Sequence, residues 1–238
     1  MPNSVVKPLD LDIVDFHSHI LPGADHGSDS VEMSMEQFAL AKKYSVNRIL
    51  ATPHFYPNVH TVSAFISARS KAVNSLRMSC NSDSPVIKLG AEVLVYEGLS
   101  RLPDLDKLCF SGTNYLMLEL PFFNFSEEYV DTVSSIVDLG YNVVLAHVDR
   151  YPADYIEQFI DCGVKNLQIN TSSLLSLFKP KLVFKWIESG LVTMLGSDIH
   201  GISKAAYAKF FKAKNKISEF LPYIKKSSDK IWNEIESV

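Results

Sequence analysis

The sequence predicts an α/β fold in which parallel strands alternate with helices and close, or nearly close, into a barrel. Two observations lead to this expectation. Short apolar or β-branched runs recur along the chain, and each is followed by a segment with helical periodicity. This alternation is typical of βα units in a parallel sheet. No proline- or serine-rich linker divides the chain, so we expect one domain over residues 1–238.

Seven runs have the length and composition of strands, and seven strands favour a barrel over a small open sheet. Most of these strand-like runs are followed directly by a short motif of polar residues. In chain order, the predicted strands are residues 13–17, 48–52, 86–93, 115–120, 142–146, 167–170 and 192–196.

Six segments between and after these strands predict helices. In the first, apolar residues from Val31 to Ala39 follow a spacing of three and four, and Ser28, Asp29 or Ser30 is available as N-cap. Gly140 lies where a helix would end, as does Gly190 in a later segment. The predicted helices are residues 30–44, 62–76, 127–139, 153–162, 174–189 and 204–217.

The overall charge gives no argument for binding nucleic acid or an anionic membrane. The net charge is −4, and no run approaches the roughly 18 apolar residues of a membrane span. With no secretory signal pattern at the N-terminus, we expect a cytoplasmic protein without membrane insertion, and its oligomeric state stays open. A group of lysines is expected on the solvated face of a terminal helix: Lys212, Lys214, Lys216, Lys225, Lys226 and Lys230.

The three cysteines exclude one class of phosphatase. A cysteine-based phosphatase needs an arginine six residues after its nucleophile. Here those places hold Val86, Tyr115 and Gln168. Phosphate chemistry, if present, must therefore follow another route.

Residues that bind metals gather at the carboxyl ends of the predicted strands, the rim where barrel enzymes build their active sites. Six of the seven strands contribute one or more of them. The motifs are Asp15-Phe16-His17-Ser18-His19, Thr52-Pro53-His54, Gly90-Ala91-Glu92, Leu118-Glu119-Leu120, Ala146-His147-Val148-Asp149-Arg150 and Gly196-Ser197-Asp198-Ile199-His200.

Spacing and burial give these motifs a physical reason. Residues i and i+2 of an extended chain face the same side, so His17 and His19 can bind one ion, as can the pair formed by Asp198 and His200. A carboxylate inside an apolar strand needs a cation to offset its desolvation, which applies to Glu92. The candidate metal ligands are His17, His19, Asp25, His54, Glu92, Glu119, His147, Asp198 and His200.

Nine ligands exceed what one ion needs and predict a cluster of two or three divalent cations with bridging carboxylates. Nitrogen and oxygen ligands without cysteine suit manganese, iron or zinc. Such a cluster lowers the pKa of a bridging water and polarises a phosphoryl oxygen, which favours hydrolysis of a phosphoester. Arg150 offers a planar fork for two phosphate oxygens; an ion pair at the surface or with a residue that supports the ligands is the alternative.

Some residues near the rim leave alternatives open. His26 is a ligand, a proton donor to the leaving group or an exposed loop residue, while His60 lies in a turn-rich stretch near the rim. A group of aromatic residues follows the second and fourth strands, either as packing or as a binding surface for an aryl leaving group: Phe55, Tyr56, Phe122, Phe123 and Phe125.

Taken together, the motifs resemble the PHP (polymerase and histidinol phosphatase) superfamily. Within it, the chain is similar to bacterial metal-dependent protein-tyrosine phosphatases of capsule and exopolysaccharide synthesis. The similarity also includes Gln168-Ile169-Asn170 and extends over nearly the whole chain. It implies a distorted seven-stranded β/α barrel and three metals, commonly manganese. It also implies hydrolysis of phosphotyrosine on a protein, here a bacterial tyrosine kinase controlling polysaccharide export.

The resemblance implies all nine ligands above and makes Arg150 the phosphate-binding arginine of the fifth-strand motif. Two places depart from it. His26 stands where members commonly have a second aspartate. Residues 201–206 replace an Arg-Pro-Pro segment of the family, so its second phosphate-binding arginine is absent. Lys204 lies one residue before the position of that arginine and is a candidate substitute.

Two other functions stay open at this stage. The same metal chemistry fits a small phosphomonoester such as histidinol phosphate or a sugar phosphate. Alternatively, the missing arginine fits a non-catalytic regulatory protein that retains metals for stability.

Overall fold

The computed structural model describes residues 12–123, 125–176 and 181–237. They form a mixed α/β fold of parallel strands with helices between them. The strands are β1 (Asp15–Ser18), β2 (Arg48–Ala51), β3 (His54–Phe55), β4 (Val86–Leu89), β5 (Glu92–Leu94), β6 (Tyr115–Glu119), β7 (Asn142–Leu145), β8 (Asn166–Asn170) and β9 (Val192–Gly196). The helices are α1 (Val31–Lys43), α2 (Val62–Arg77), α3 (Glu127–Asp138), α4 (Ala153–Asp161), α5 (Lys181–Glu188), α6 (Lys204–Lys216) and α7 (Leu221–Glu234).

The strands form two parallel sheets, ordered β1-β2-β4 and β3-β5-β6-β7-β8-β9. The break between them falls directly after one predicted strand, residues 48–52, and within another, residues 86–93. The prediction of one strand over residues 86–93 is wrong, because Gly90 and Ala91 separate β4 from β5, and β3 after Pro53 was not predicted. A Cβ on Gly90 would lie 2.8 Å from Cδ1 of Phe110, so glycine is required where the strand bends.

The first and last strands meet at their carboxyl ends. The backbone N–H of Asp198 donates to the carbonyl of His17 at 2.8 Å, and the N–H of His19 donates to Ile199 at 3.2 Å. These bonds place the His17-Ser18-His19 motif beside the Asp198-Ile199-His200 motif. They join segments separated by about 180 residues of chain.

Most predicted helices are present with ends shifted by one or two residues. Ser30 is the N-cap of α1, and its side chain accepts from the N–H of Met33. Gly140 and Gly190 follow α3 and α5 with φ of +91° and +78°, as expected for C-terminal stops. The predicted helix over residues 174–189 is only partly present: a 3-10 turn, Ser173–Leu175, precedes α5, and residues 177–180 lie outside the described residues.

Helix α7 covers the amino-terminal ends of the strands, opposite the rim. Its Ile231 and Trp232 share a buried cluster with residues of five strands, including Phe16 and Met194. Lys88 of β4 donates to the carbonyls of Trp232 and Ile235, at 2.6 Å each. The helix therefore closes the end of the molecule that lies away from the predicted site.

The expected solvated lysine face is only partly correct. Lys212, Lys216, Lys226 and Lys230 are exposed, but Lys214 of α6 is buried. The Nζ of Lys214 lies 5.9 Å from the ring centroid of Phe211. None of the helices in the described part of the chain is long and apolar enough to cross a membrane.

Candidate metal centre

The structure brings the nine predicted ligands into one continuous cluster at the carboxyl ends of the strands, with Glu92 at its centre. The carboxylate of Glu92 is 1% exposed. Its Oε2 lies 3.1 Å from Nε2 of His17, 3.3 Å from Nε2 of His19 and 3.0 Å from Nδ1 of His54. Its Oε1 lies 2.8 Å from Nε2 of His147. One carboxylate thus faces four imidazoles that come from three places in the sheet: the end of β1, the start of β3 and the segment after β7.

Two more carboxylates lie on either side of this centre. Glu119 approaches His147 at 3.5 Å and His54 at 3.8 Å. Oδ1 of Asp198 lies 3.5 Å from both His19 and His200 and 3.7 Å from His17. Acidic oxygens therefore alternate with imidazole nitrogens across the cluster.

Asp25 contacts the cluster from the other side of His19. Its Oδ2 lies 2.6 Å from Nδ1 of His19, the ring nitrogen turned away from Glu92, and accepts from the N–H of His54 at 3.0 Å. Oδ1 accepts from Gly27 at 2.8 Å. In this arrangement Asp25 orients His19, as carboxylates commonly do for metal-binding histidines. Its predicted role as a direct ligand stays a prediction.

The chemistry of these side chains fits divalent cations. Oε2 of Glu92, Nδ1 of His54 and Nε2 of His200 are buried and lack a hydrogen-bond partner among the described residues. Buried polar atoms without partners cost free energy unless something else binds them. Three overlapping groups place their ligand atoms within 4.8 Å of one another: His19, His54 and His200; His17, His19 and Glu92; His54, Glu92 and Glu119.

Without a cation, the cluster depends on shared protons. Burial by itself lowers the pKa of His147, but hydrogen bonds that its ring donates to Glu119 and Glu92 outweigh burial and raise that pKa to about 9. Burial opposes ionisation of Asp198, yet the charge of His17 and a hydrogen bond to His19 hold its pKa well below the usual range. The imidazoles therefore take up positive charge that balances the buried carboxylates.

Two amide side chains, Gln168 and Asn170, connect His17, His147 and Asp198 by hydrogen bonds. Neither residue was assigned a role from the sequence. Oε1 of Gln168 accepts from Nδ1 of His17 at 2.9 Å and from the N–H of His147 at 2.7 Å. Its Nε2 donates to Asn170 at 3.0 Å, and Asn170 donates to Oδ2 of Asp198 at 3.0 Å. The position of Gln168 and Asn170 two residues apart on β8 was the available signal, because both then face the same side.

Two of the predicted ligands have backbone conformations that disfavour non-glycine residues. His147 has φ +32° and Asp198 has φ +51°, each two residues beyond the end of its strand, β7 and β9. Residues in this region commonly belong to functional sites, since the surrounding structure must hold them there. Periodicity could not reveal this, because the conformation belongs to the junction after each strand.

Arg150 lies at the edge of the cluster, in the 3-10 turn Val148–Arg150 after β7. Its side chain is 37% exposed and pairs with Asp198. The guanidinium also lies 5.8 Å from the ring centroid of Phe122, which stacks against His147 at 5.9 Å. Of the predicted aromatic group, Phe122, Phe123 and Phe125 are exposed, whereas Phe55 is buried.

The remaining histidines differ in their distance from the cluster. His26 is exposed, and its ring stacks on His200 and His54 with centroids 4.7 and 4.9 Å apart. His60 accepts from the N–H of Tyr56 at 3.3 Å and has no contact with the ligand cluster in the structure described. His26 therefore sits over the ligands, while His60 supports the loop that carries Tyr56.

Residues 13–229 match the model of a family described as capsular polysaccharide synthesis, CpsB/CapC. The chain belongs to this family. Two CpsB/CapC relatives are the tyrosine-protein phosphatase YwqE of Bacillus subtilis strain 168 and the tyrosine-protein phosphatase CpsB of Streptococcus pneumoniae. YwqE is 27% identical over 203 residues, which cover 80% of this chain and 78% of YwqE. CpsB is 28% identical over 207 residues, which cover 80% of this chain and 84% of CpsB.

The CpsB/CapC assignment agrees with a similar solved structure. It comes from a crystallographic study of YwqE from Bacillus subtilis and CpsB from Streptococcus pneumoniae, described there as metal-dependent tyrosine phosphatases. The TM-score is 0.73 at 20% identity, with 95% of this chain and 96% of the other chain covered. The likeness confirms the mixed α/β fold with parallel strands.

Proposed function

We propose that this chain is a metal-dependent protein-tyrosine phosphatase of capsular polysaccharide synthesis. The observation that carries the proposal is the buried Glu92 carboxylate facing four imidazoles, with Arg150 at the edge of the same cluster. Membership of the CpsB/CapC family and the names of the relatives supply the substrate class.

For the fold, we propose that the nine short strands form a distorted seven-stranded barrel, in which two pairs of consecutive short strands each count as one strand. β2 continues into β3 and β4 into β5, and β1 meets β9 through the bonds at His17 and His19. The ligands would then line one end of this barrel. The nine predicted ligands are proposed to hold up to three divalent ions, with manganese favoured and iron or zinc compatible with the same nitrogen and oxygen donors.

When bound, such ions supply Lewis acidity and a water of lowered pKa. Around them, Arg150 is proposed to bind two phosphoryl oxygens with its planar fork, releasing Asp198 from the ion pair. His26, stacked over His54 and His200, is placed to donate a proton to the departing phenolate. Each role requires only groups that already lie at the edge of the cluster.

The exposed aromatic surface supports a phosphotyrosine substrate. Phe122 lies between the cluster and solvent, next to Arg150, where a tyrosine ring bound through its phosphate would approach. Phosphotyrosine on a protein is made with intracellular ATP. We therefore propose a cytoplasmic substrate, a tyrosine kinase of polysaccharide export.

The test compares hydrolysis of a phosphotyrosine peptide and of p-nitrophenyl phosphate after chelation and after addition of Mn²⁺. Added metal should restore both activities. Glu92→Gln should lower kcat/KM by more than about 100-fold, because removing even an outer support of a metal ligand costs about 10- to 100-fold. His17→Ala should behave similarly, and Glu157→Gln on the exposed side of α4 is the control.

A metal-loaded wild-type protein that hydrolyses small phosphomonoesters but not the peptide would replace the tyrosine-phosphatase proposal with a small-molecule phosphatase. Metal-loaded protein inactive on every phosphoester would favour the regulatory alternative.

A further inference from the structure

A polar cavity of about 260 Å³ opens beside the metal centre, and the proposed mechanism does not use all of its walls. Arg150, Asp198 and His200 line its inner side. Hydroxyl and amide side chains form much of the remaining wall: Asn170, Thr171, Ser172, Ser197 and Ser203. A lining of this kind suits a hydrated or oxyanionic group rather than an apolar one.

A second cation lines the same cavity from helix α6. This cation is Lys209, which joins Ser203 and Ala206 in the wall, whereas Lys204 does not line the cavity. With about 100° of rotation per helical residue, Lys209 lies roughly 60° from Ala206, and Lys204 lies roughly 160° away on the opposite side. The resemblance pointed to Lys204, which lies one residue short of the place of the missing arginine, but the orientation of α6 favours Lys209.

Lys209 is not committed to another partner. Its ammonium makes no ion pair or hydrogen bond with any residue that the structure describes. Arg150, by contrast, already pairs with Asp198, so the two charges partly neutralise each other. An anion entering the cavity therefore meets Arg150 on one side and the unpaired charge of Lys209 on the other.

We propose that Lys209 is a phosphoryl-binding residue, holding the phosphate monoester dianion from the wall of the cavity that α6 forms. This inference rests on the proposed phosphatase function. Arg150 provides directional, paired hydrogen bonds, and Lys209 provides a point charge that reaches whichever oxygen faces it. Ser172 and Ser203 in the same lining offer hydroxyls to the remaining oxygen, whereas those of Thr171 and Ser197 already donate to backbone carbonyls.

The experiment compares Lys209→Gln with Lys204→Gln, which removes the same charge from the same helix outside the cavity. Lys209→Arg is the charge-preserving variant. For each metal-loaded protein, kcat and KM are measured with p-nitrophenyl phosphate and with a phosphotyrosine peptide. Binding of inorganic phosphate is measured by calorimetry, and bound metal is quantified.

Lys209→Gln should weaken phosphate binding and raise KM about fivefold for both substrates, with metal content and kcat nearly unchanged, because one exposed charge contact is lost. Lys209→Arg should retain most of the wild-type affinity, and Lys204→Gln should match the wild type.

Unchanged phosphate affinity in Lys209→Gln, or an equal loss in Lys204→Gln, would overturn the proposal. A loss seen only with the peptide would also overturn it, since Lys209 would then contact the polypeptide rather than the phosphate. The calorimetry separates this inference from the proposed function: if the wild type hydrolyses no phosphoester, weaker phosphate binding by Lys209→Gln still supports the subsite.

Discussion

At the scale of single residues, Gln168 sets the protonation state of a proposed ligand. Its Oε1 accepts from the N–H of His147, which fixes which end of the amide is oxygen. Since that oxygen only accepts, the Nδ1 of His17 must carry a proton. The Nε2 of His17 is then left to face Glu92 and a cation.

Replacing Gln168 should therefore weaken metal binding without removing a ligand. We expect Gln168→Leu to lower Mn²⁺ affinity by about 10- to 100-fold, the usual cost of losing an outer hydrogen-bond partner. Gln168→Glu, which keeps an acceptor for His17, should lose less. Calorimetric titration with Mn²⁺ measures both, and Gln158→Leu on exposed α4 is the control. Equal affinities for Gln168→Leu and the wild type would refute this role.

At the scale of elements, the cluster requires strand β9 to run unusually close to β1 and β8. A Cβ on Gly196 would lie 2.6 Å from Nε2 of Gln168 and 2.6 Å from Cβ of His17. Glycine is needed here because neighbouring atoms leave no space for a Cβ. Its backbone conformation does not require glycine, since the φ of Gly196 is not in the left-handed region. The contrast is Gly140, which has open space around it but φ of +91°.

These two glycines should respond differently to alanine. Gly196→Ala should cost about 1–3 kcal/mol of unfolding free energy through overpacking and also weaken Mn²⁺ binding, because His17 and Gln168 must shift. Gly140→Ala should cost about 1 kcal/mol through backbone strain and leave Mn²⁺ affinity unchanged. Urea unfolding with chelator and metal titration measure the two effects. Unaltered metal affinity in Gly196→Ala would contradict the close-approach argument.

At the scale of the whole molecule, protonated imidazoles must balance the buried carboxylates of the protein when no cation is bound. The pKa of His147 is raised from 6.5 to about 9 by Glu119 and Glu92, which outweigh its burial. A group with a raised folded pKa stabilises the fold fully below its unfolded pKa, and this contribution is lost as pH rises through the folded pKa. The stabilisation that His147 contributes is therefore lost between about pH 6.5 and pH 9.

We expect the melting temperature of the chelated protein to fall between pH 7 and pH 9.5. Metal binding needs neutral imidazole, so stabilisation by Mn²⁺ should grow over the same range. Thermal unfolding at several pH values, with chelator or with Mn²⁺, measures the divergence. His147→Gln should reduce the slope of the chelated protein. A chelated wild type whose melting temperature rises through this window would disprove the charge balance described here.

Local patterns identified much of this architecture. Apolar runs predicted the cores of seven strand segments, and helical spacing predicted α1 to α4 and α6 within about two residues. They did not predict the break at Gly90, nor that a strand, β3, resumes after the break at Pro53. Those breaks depend on how neighbouring strands pair, a nonlocal property that a window of sequence does not contain.

By itself, the sequence determined which side chains reach the carboxyl ends of the strands. Parallel βα units place every such end at one rim, so the histidines and carboxylates there had to converge. Only the tertiary structure decided that Glu92 is central, that Gln168 orients His17 and that Lys209 rather than Lys204 lines the cavity. These facts depend on strand register and helix rotation, which are fixed by packing between segments distant in the chain.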